Sequence, residues 1–163
     1  GLDRIFNIIK NTKNCHLTII GDGPKRLFLE KLIIKNNIVN KVKFTGYSDN
    51  ANAYIAAADY FLLPSRWEGL PNVVLESLVL GTPVISFNEI KGLQDLIPLT
   101  QKNKLFLCKN EEEMEELIFK LDVRNDYLKP IVRKVLLKNF NTPQAYAKKI
   151  EKIIKDSIFE KKL

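Results

Sequence analysis

The sequence predicts an α/β fold, in which a parallel sheet is flanked by helices. Two observations favour this class. Short apolar runs alternate with helical segments along the chain, and such alternation is typical of parallel strands joined by right-handed crossovers. Turn-forming glycines also follow apolar runs, as in GDGP at 21–24. With 163 residues, of which 45% are hydrophobic, the chain is long enough for one domain with its own core.

Each element is predicted from its local pattern. Leu2, Phe6 and Ile9 recur at helical spacing and predict a helix over 3–10. Short apolar runs bounded by turn residues predict strands, and the longer segments between them predict helices. The remaining elements, in chain order, are strand 17–20, helix 25–36, strand 41–45, helix 50–58, strand 60–63, helix 71–80, strands 84–87 and 104–108, and a helix from 111.

Two of these helices carry signals at their ends. Pro71 is expected at the first helical position, where its missing N–H is no loss, and Gly81 is expected to end that helix. Asn110 followed by Glu113 has the form of a capping box. The Glu run at 111–113 is therefore interpreted as favourable charge at the positive end of a helix dipole, and not as a metal site.

The excess positive charge is confined to the C-terminal end. Residues 129–163 carry 10 basic and 3 acidic residues, a net +7, whereas residues 1–128 carry 16 of each. A basic amphipathic helix is predicted over 142–159. Such a helix lies on an anionic membrane surface, or packs on this domain or on a partner domain, and both alternatives stay open. Lysine-rich charge without stacked aromatics argues against nucleic acid as a partner.

The remaining composition indicates a cytoplasmic protein. Cys15 and Cys108 are far apart and favour reduced thiols without a disulfide framework. His16 is the only histidine, and one Cys-His pair offers too few ligands for a metal site. No apolar run approaches the ~20 residues of a membrane span, and no signal peptide is present. Because the chain begins at Gly1 without a methionine, we expect it to be a segment of a longer protein.

The segment at 68–76 is the most informative about chemistry. Glu68 and Gly69 lie in a turn before a predicted helix, and Glu76 follows on that helix. The N–H groups around Leu70 and Asn72 lack partners within a helix, and the helix dipole there favours a bound anion. Carboxylates also accept hydrogen bonds from sugar or ribose hydroxyls. The segment therefore predicts a phosphate site between two carboxylates, at the sheet edge where open α/β sheets bind ligands.

With these motifs, the chain resembles the C-terminal, donor-binding half of a retaining glycosyltransferase of family 4. Enzymes of this family have the GT-B architecture, with two Rossmann-like domains facing each other across a cleft. The resemblance is close over about 1–97 and implies a single Rossmann-like donor-binding domain over 1–163, without the N-terminal acceptor domain. The segments that carry it are AD at 58–59, PSRWEGLPN at 64–72, Glu76, GTPV at 81–84, GDGP at 21–24 and VKFTGY at 42–47.

The resemblance implies a role for each residue of the central motif. Glu76 would bind the ribose hydroxyls of the nucleotide. Glu68 would be catalytic, contacting the donor sugar and steadying positive charge at the transition state. The backbone N–H groups of Gly69, Leu70 and Asn72 would bind the diphosphate. The alternatives are that Glu76 is an exposed helical residue without a role and that Glu68 caps the following helix.

On the nucleoside side, the resemblance implies that Gly21 and Gly23 let the backbone approach the nucleotide and that Tyr47 lies at the base. A ring at this position could equally belong to the core. Arg66 and Trp67 would either shape donor choice or be surface residues. The loop KGLQD at 91–95 contains fewer glycines than is common in the family, so sugar contacts from this loop are in doubt.

The implied activity is transfer of a hexosyl group, with retention, from a UDP- or GDP-sugar to a polysaccharide or glycolipid acceptor, without a cofactor or a metal. The Arg and Lys that neutralise the diphosphate in the family would precede Gly1, so the fragment alone is expected to be inactive. Two other functions stay open. One is another GT-B enzyme, such as a nucleotide-sugar epimerase or a phosphorylase, and the other is an inactive module that binds a nucleotide or a protein.

Overall fold

The structure is a computed structural model that describes residues 1–94, 96 and 105–123. Strands and helices alternate along this part of the chain. The helices are α1 Leu2–Asn11, α2 Arg26–Lys35, α3 Ala51–Ala57, α4 Asn72–Val79, α5 Lys91–Gln94 and α6 Glu111–Val123. The strands are β1 Leu17–Ile20, β2 Val42–Gly46, β3 Phe61–Leu63, β4 Val84–Phe87 and β5 Leu105–Cys108, with a 3₁₀ turn at Val39–Lys41 before β2.

The strands form two parallel sheets. In the first, β1 pairs with β2, and Leu17 lies opposite Val42. In the second, β4 lies between β3 and β5. All four residues of β4 are buried, as expected for a parallel strand that is covered on both faces. The predicted fold class is therefore confirmed, with parallel sheets flanked by helices.

One hydrophobic core joins the two sheets. The buried face of α1 supplies Ile5 and Phe6, which are 0% and 1% exposed. They belong to the same cluster as Ile19 of β1 and Ile85 of β4. Since this cluster includes buried residues of both sheets and of α1, burial of the α1 face stabilises the two sheets together.

The strands of both sheets run in the same direction relative to α1. Arg4 at the start of α1 is hydrogen-bonded to Glu89, which follows β4, and to Glu111, which follows β5. At the other end of α1, the Lys41 ammonium, just before β2, donates to the Ile9 carbonyl at 3.1 Å. The carboxyl ends of the strands therefore lie at one edge of the fold, near the start of α1.

The predicted element boundaries agree with the structure to within one residue in the described ranges. Gly81 has φ +83° and ends α4 as predicted, because glycine adopts this left-handed conformation without strain. Asn110 also caps α6 as predicted, since its Oδ1 accepts from the Glu113 N–H at 2.9 Å. The Glu113 carboxylate accepts from the Lys109 N–H instead of the Asn110 N–H.

Two details of the prediction are wrong. Pro71 is the N-cap of α4, with ψ 117°, so the helix begins at Asn72; a cap residue keeps extended backbone angles. The helix α5 was not predicted, because four residues are too few to show a helical period. The predicted helix over 142–159 lies outside the described residues.

Candidate functional site

The loop between β3 and α4 places Glu68 at the carboxyl edge, where its side chain is exposed. Its Oε1 accepts a hydrogen bond from Ser65 Oγ at 3.0 Å. The alternative role of Glu68 as a helix cap is wrong, because in the described part of the chain Glu68 accepts from Ser65 and from no backbone N–H of α4. One carboxylate oxygen is thus held by Ser65, within the same turn, and the other accepts no hydrogen bond from the described part of the chain.

The start of α4 presents free N–H donors. The first hydrogen bond of the helix runs from the Val74 N–H to the Pro71 carbonyl at 3.0 Å. For the N–H groups of Leu70, Asn72 and Val73, no acceptor is found in the described part of the chain. These N–H groups lie at or just before the positive end of the helix dipole, which is a favourable environment for an anion.

Glu76 lies one turn further along α4. It is the fifth residue of the helix and is half-buried. The helix carries no acidic residue in its first turn, so a bound anion would meet no carboxylate of α4 at the helix end itself. Glu68 and Glu76 therefore lie on either side of the free N–H donors along the chain.

The glycines at this edge fall into two groups. Gly21 has φ +110° and Gly46 has φ +70°, so each is needed for a backbone conformation that other residues rarely adopt. Gly23 and Gly69 have no such φ, and a Cβ at either position would meet no atom within 4 Å. The fold itself does not require glycine at Gly23 or Gly69, and both leave open space at the edge.

The exits of β1 and β2 are tied together. The Gly21 N–H donates to the Gly46 carbonyl at 2.7 Å, which places Tyr47 beside the glycine loop at 21–24. Tyr47 is 83% exposed, so the alternative that its ring belongs to the core is wrong. Its exposed face is available for stacking on a ligand.

Arg26, the first residue of α2, is ion-paired within the protein. The Arg26 guanidinium is ion-paired with Asp22 at 3.4 Å and with Glu30 at 2.9 Å. It also lies over the Phe44 ring, 4.7 Å from the ring centre, a favourable cation–π distance. Arg26 therefore holds the loop to β2 and α2.

Arg66 and Trp67 differ in their surroundings. The Arg66 guanidinium makes two hydrogen bonds to the Asp3 carboxylate, at 3.0 and 2.6 Å. This pairing lowers the pKa of Asp3 to about 2. Trp67 is 85% exposed. Arg66 is thus a surface residue that connects the β3–α4 loop to α1, and Trp67 has a free ring beside Glu68.

Sequence reasoning missed a second cluster of charge, centred on Arg4. Its side chain is only 9% exposed and lies 3.6 Å above the centre of the Phe87 ring. It donates to both carboxylate oxygens of Glu89, at 3.0 and 3.1 Å, and to Glu111 at 2.6 Å. The bond from Arg4 lowers the pKa of Glu111. These partners are 85 and 107 residues from Arg4 in sequence, so no local pattern could have found them.

The structure brings the predicted site residues into two groups on the same edge. Gly21, Gly23 and Tyr47 follow β1 and β2, and the central motif from Glu68 to Glu76 follows β3. In addition, the backbone of Gly69 contacts α5, which follows β4. In the ranges that the structure describes, three or more His, Cys, Asp or Glu side chains do not come together in a way that could hold a metal ion.

The fold and this edge define the class of the protein. It is a Rossmann-like α/β domain with glycine turns and free N–H donors where open α/β sheets bind ligands. The family described as glycosyl transferases group 1 matches residues 2–122. The chain therefore belongs to the glycosyl transferases group 1 family.

Two relatives and one solved structure illustrate the family. The lipopolysaccharide core biosynthesis glycosyltransferase LpsE of Rhizobium meliloti is 35% identical over 86 residues, which are 53% of this chain and 25% of LpsE. The O-antigen biosynthesis glycosyltransferase WclY of Escherichia coli is 30% identical over 125 residues, covering 66% of this chain and 35% of WclY. The crystal structure of Anabaena HepE in complex with UDP has a TM-score of 0.68 at 17% identity, covering 96% of this chain and 44% of HepE.

These comparisons support a transferase. The chain spans about a quarter to a third of the length of the two curated relatives above, and the similarity to HepE shows the fold alone. Because the relatives are glycosyltransferases, the alternatives of an epimerase, a phosphorylase or an inactive module are not favoured. Within the described ranges, no helix combines the length and the apolar character that a bilayer crossing needs.

Proposed function

We propose that this chain is the nucleotide-sugar donor-binding domain of a retaining glycosyltransferase of family 4, the C-terminal half of a GT-B enzyme. The observation that carries the proposal is the set of free N–H donors at Leu70, Asn72 and Val73, between the carboxylates of Glu68 and Glu76. Membership of the glycosyl transferases group 1 family supports it, and so does the likeness in fold to Anabaena HepE, whose structure is a complex with UDP.

In this proposal the diphosphate of the donor binds at the start of α4. The N–H groups of Leu70 and Asn72 donate to phosphate oxygens, and the absence of a side chain at Gly69 leaves room for them. Each hydrogen bond to a charged group contributes roughly 1.5–3 kcal/mol. When the bond between sugar and diphosphate breaks, negative charge grows on the leaving diphosphate, and donors fixed at this place stabilise it more strongly than before.

The two carboxylates have separate tasks. Glu76 chelates the vicinal hydroxyls of the ribose, for which a carboxylate with two acceptor oxygens is well suited. Glu68 contacts the hydroxyls of the donor sugar and stabilises the oxocarbenium-like positive charge that develops at the transition state. Ser65, which donates to one oxygen of Glu68, orients the carboxylate so that the other oxygen is available.

The nucleoside lies along the exits of β1 and β2. Gly21 and Gly23 let the backbone approach it, and the exposed ring of Tyr47 is at the position of the base. Arg4, Arg26 and Arg66 are each held by carboxylates. We therefore assign neutralisation of the diphosphate to an Arg and a Lys outside this chain, in the longer enzyme that also supplies the acceptor domain.

The donor would be a UDP- or GDP-sugar with a hexosyl group, and the acceptor a polysaccharide or a glycolipid. The printed names of LpsE and WclY, in lipopolysaccharide core and O-antigen biosynthesis, support an acceptor at the bacterial surface. The reaction as proposed uses neither a cofactor nor a metal. The enzyme would act in the cytoplasm, with the segment 142–159 either at the inner face of the membrane or packed on a protein domain.

The test is a titration of the chain with UDP, GDP and ADP, followed through amide chemical shifts. We expect shifts at Gly21, Tyr47, Gly69 and Glu76, larger for one nucleotide than for the other two. Glu76→Ala should weaken binding at least about tenfold, the loss of one charge-assisted hydrogen bond. The matched control is Glu116→Ala, which removes an exposed carboxylate from α6, far along the chain from this motif.

The longer enzyme provides the decisive comparison. With the upstream segment restored, binding should tighten and sugar transfer should appear, whereas this chain alone should show no turnover. Turnover by the chain alone would show that the separate acceptor domain is dispensable. Absence of binding by both forms, or shifts confined to other parts of the domain, would refute the donor-binding proposal.

A further inference from the structure

The turn α5 is fixed to the body of the domain from several sides. Ile90 and Leu93 are fully buried, so the turn is anchored in the core. Glu89, just before it, is held by both terminal nitrogens of Arg4. The side-chain amide of Gln94 donates to the Asn88 carbonyl at 2.8 Å, which closes the turn on itself. A segment with this many attachments has little freedom to shift.

α5 touches the loop before α4 through Gly92, which is half-buried. A Cβ at Gly92 would lie 2.5 Å from the carbonyl oxygen of Gly69, 3.1 Å from its carbonyl carbon and 3.4 Å from the Cα of Leu70. All three atoms belong to the backbone, so they cannot turn aside as a flexible side chain can. The φ of Gly92 is outside the left-handed range. Close approach, and not backbone conformation, is therefore the reason for a glycine here.

This contact has a consequence for the neighbouring N–H group. The peptide between Gly69 and Leu70 is planar and trans, so its C=O and N–H point in opposite directions. With the Gly69 oxygen facing α5, the Leu70 N–H points to the other side of the loop. A shift of Gly69 away from α5 would rotate this peptide and turn the N–H with it.

From these contacts we infer that Gly92 is a positioning residue for the phosphate donors of the β3–α4 loop. It lets the anchored turn α5 support Gly69 directly, and this support sets the direction of the Leu70 N–H. The inference rests on the proposed function in one respect, because the ligand of that N–H is the diphosphate of a nucleotide. The contact itself is independent of any ligand.

Gly92→Ala is the direct test. It is made in this chain or in the longer enzyme, whichever binds UDP more tightly. In a helix, alanine is otherwise preferred over glycine, so any loss arises from the contact with Gly69. Without ligand, we expect the amide chemical shifts of Gly69, Leu70 and Asn72 to differ from those of the wild type, while the amide chemical shifts of β1 stay unchanged. With UDP as the probe, the Kd should rise at least about fivefold with little change in melting temperature.

The matched control is Ile118→Val, which removes a buried methyl group from α6 and adds no atom near Gly69. It should lower the melting temperature and leave the Kd for UDP unchanged. Should Gly92→Ala not fold, Glu89→Gln is the second variant, since it loosens the anchor of α5 without a clash. It should produce smaller shifts at the same amides and a smaller rise in Kd.

These experiments distinguish failure of the Gly92 inference from failure of the proposed function. If Gly92→Ala leaves the amide chemical shifts of residues 69–72 unchanged, the inference is wrong. It is also wrong if the variant lowers the melting temperature without changing the Kd for UDP, since Gly92 is then only structural. If the wild-type protein binds none of UDP, GDP and ADP, the proposed function fails. In that case the ligand-free amide shifts still decide whether Gly92 positions the loop.

Discussion

Single ion pairs connect distant parts of this chain at the carboxyl edge of the sheets. Asp3 of α1 and Arg66 of the β3–α4 loop are 63 residues apart in sequence and meet through two hydrogen bonds. The Asp3 side chain is 37% exposed and that of Arg66 54%. Solvent screens such a pair, so its contribution to stability is small.

This pair gives a pH dependence of known sign. Because the Arg66 bond lowers the pKa of Asp3 from 3.8 to about 2, the folded state favours the charged carboxylate. Above about pH 4, Asp3→Asn should lower the free energy of unfolding by the full contribution of the pair. As the pH falls through 2, the difference in unfolding free energy between this variant and the wild type should vanish. Urea unfolding between pH 2 and 7 measures it, with the exposed Asp49→Asn as control. A cost that is unchanged at pH 2 would contradict the assignment.

The two cysteines are predicted to differ in reactivity. Burial raises the pKa of the Cys108 thiol to about 11, and the residue is 2% exposed, whereas Cys15 is half-buried. Since only the thiolate reacts, iodoacetamide at pH 8 should label Cys15 well before Cys108, and unfolding should remove the difference. Peptide mass spectrometry of a time course measures both rates, and equal rates in the folded protein would be contrary to this prediction.

At the scale of single elements, α6 is the helix with the best-defined start. The Asn110 side chain accepts from the Glu113 N–H, and the Glu113 carboxylate accepts from the Lys109 N–H at 2.7 Å. Glu111 in the first turn also pairs with Arg4. The predicted role of the Glu run as compensation for the helix dipole is therefore incomplete, because one of its members also anchors α6 to α1.

Asn110→Ala should destabilise the protein by about 1 kcal/mol, the usual cost of losing an N-cap side chain. Asn110→Asp should retain most of the stability, since aspartate caps about as well and its charge suits the helix dipole. Equilibrium urea unfolding of the three proteins measures the difference. Equal stability of the alanine variant and the wild type would show that the cap bond contributes nothing.

At the scale of the whole molecule, the shared core makes the two sheets dependent on each other. Phe6 of α1 is 1% exposed and belongs to the same cluster as Ile19 of the first sheet and Ile85 of the second. The sheets are separate in their hydrogen bonding but joined by α1. A cavity under α1 therefore weakens both.

Phe6→Ala should lower the free energy of unfolding by about 3–5 kcal/mol, and the amides of β1 and β4 should lose protection together. Hydrogen exchange of both sheets measures this directly. Phe28→Ala is the control, because Phe28 is 52% exposed on α2 and its loss should cost under about 0.5 kcal/mol. Loss of protection in one sheet alone would indicate two independent folding units.

The sequence by itself determined the elements and the central motif. Apolar spacing, glycine turns and cap residues are local signals that act within a few positions, so the strand at 17–20, the end of α4 at Gly81 and the cap at Asn110 could be predicted. The order Glu68, Gly69, Asn72 and Glu76 is equally local, and it was enough to propose a phosphate site between two carboxylates.

Only the tertiary structure decided what depends on distant contacts. It separated the strands into two sheets and left Tyr47 exposed. It also paired Glu68 with Ser65 instead of a helix N-terminus, and Arg4 with carboxylates that are 85 and 107 residues away in sequence. It also placed α5 against Gly69. The physical reason is that these features arise when separate elements pack, and neither propensity nor periodicity within one element carries that information.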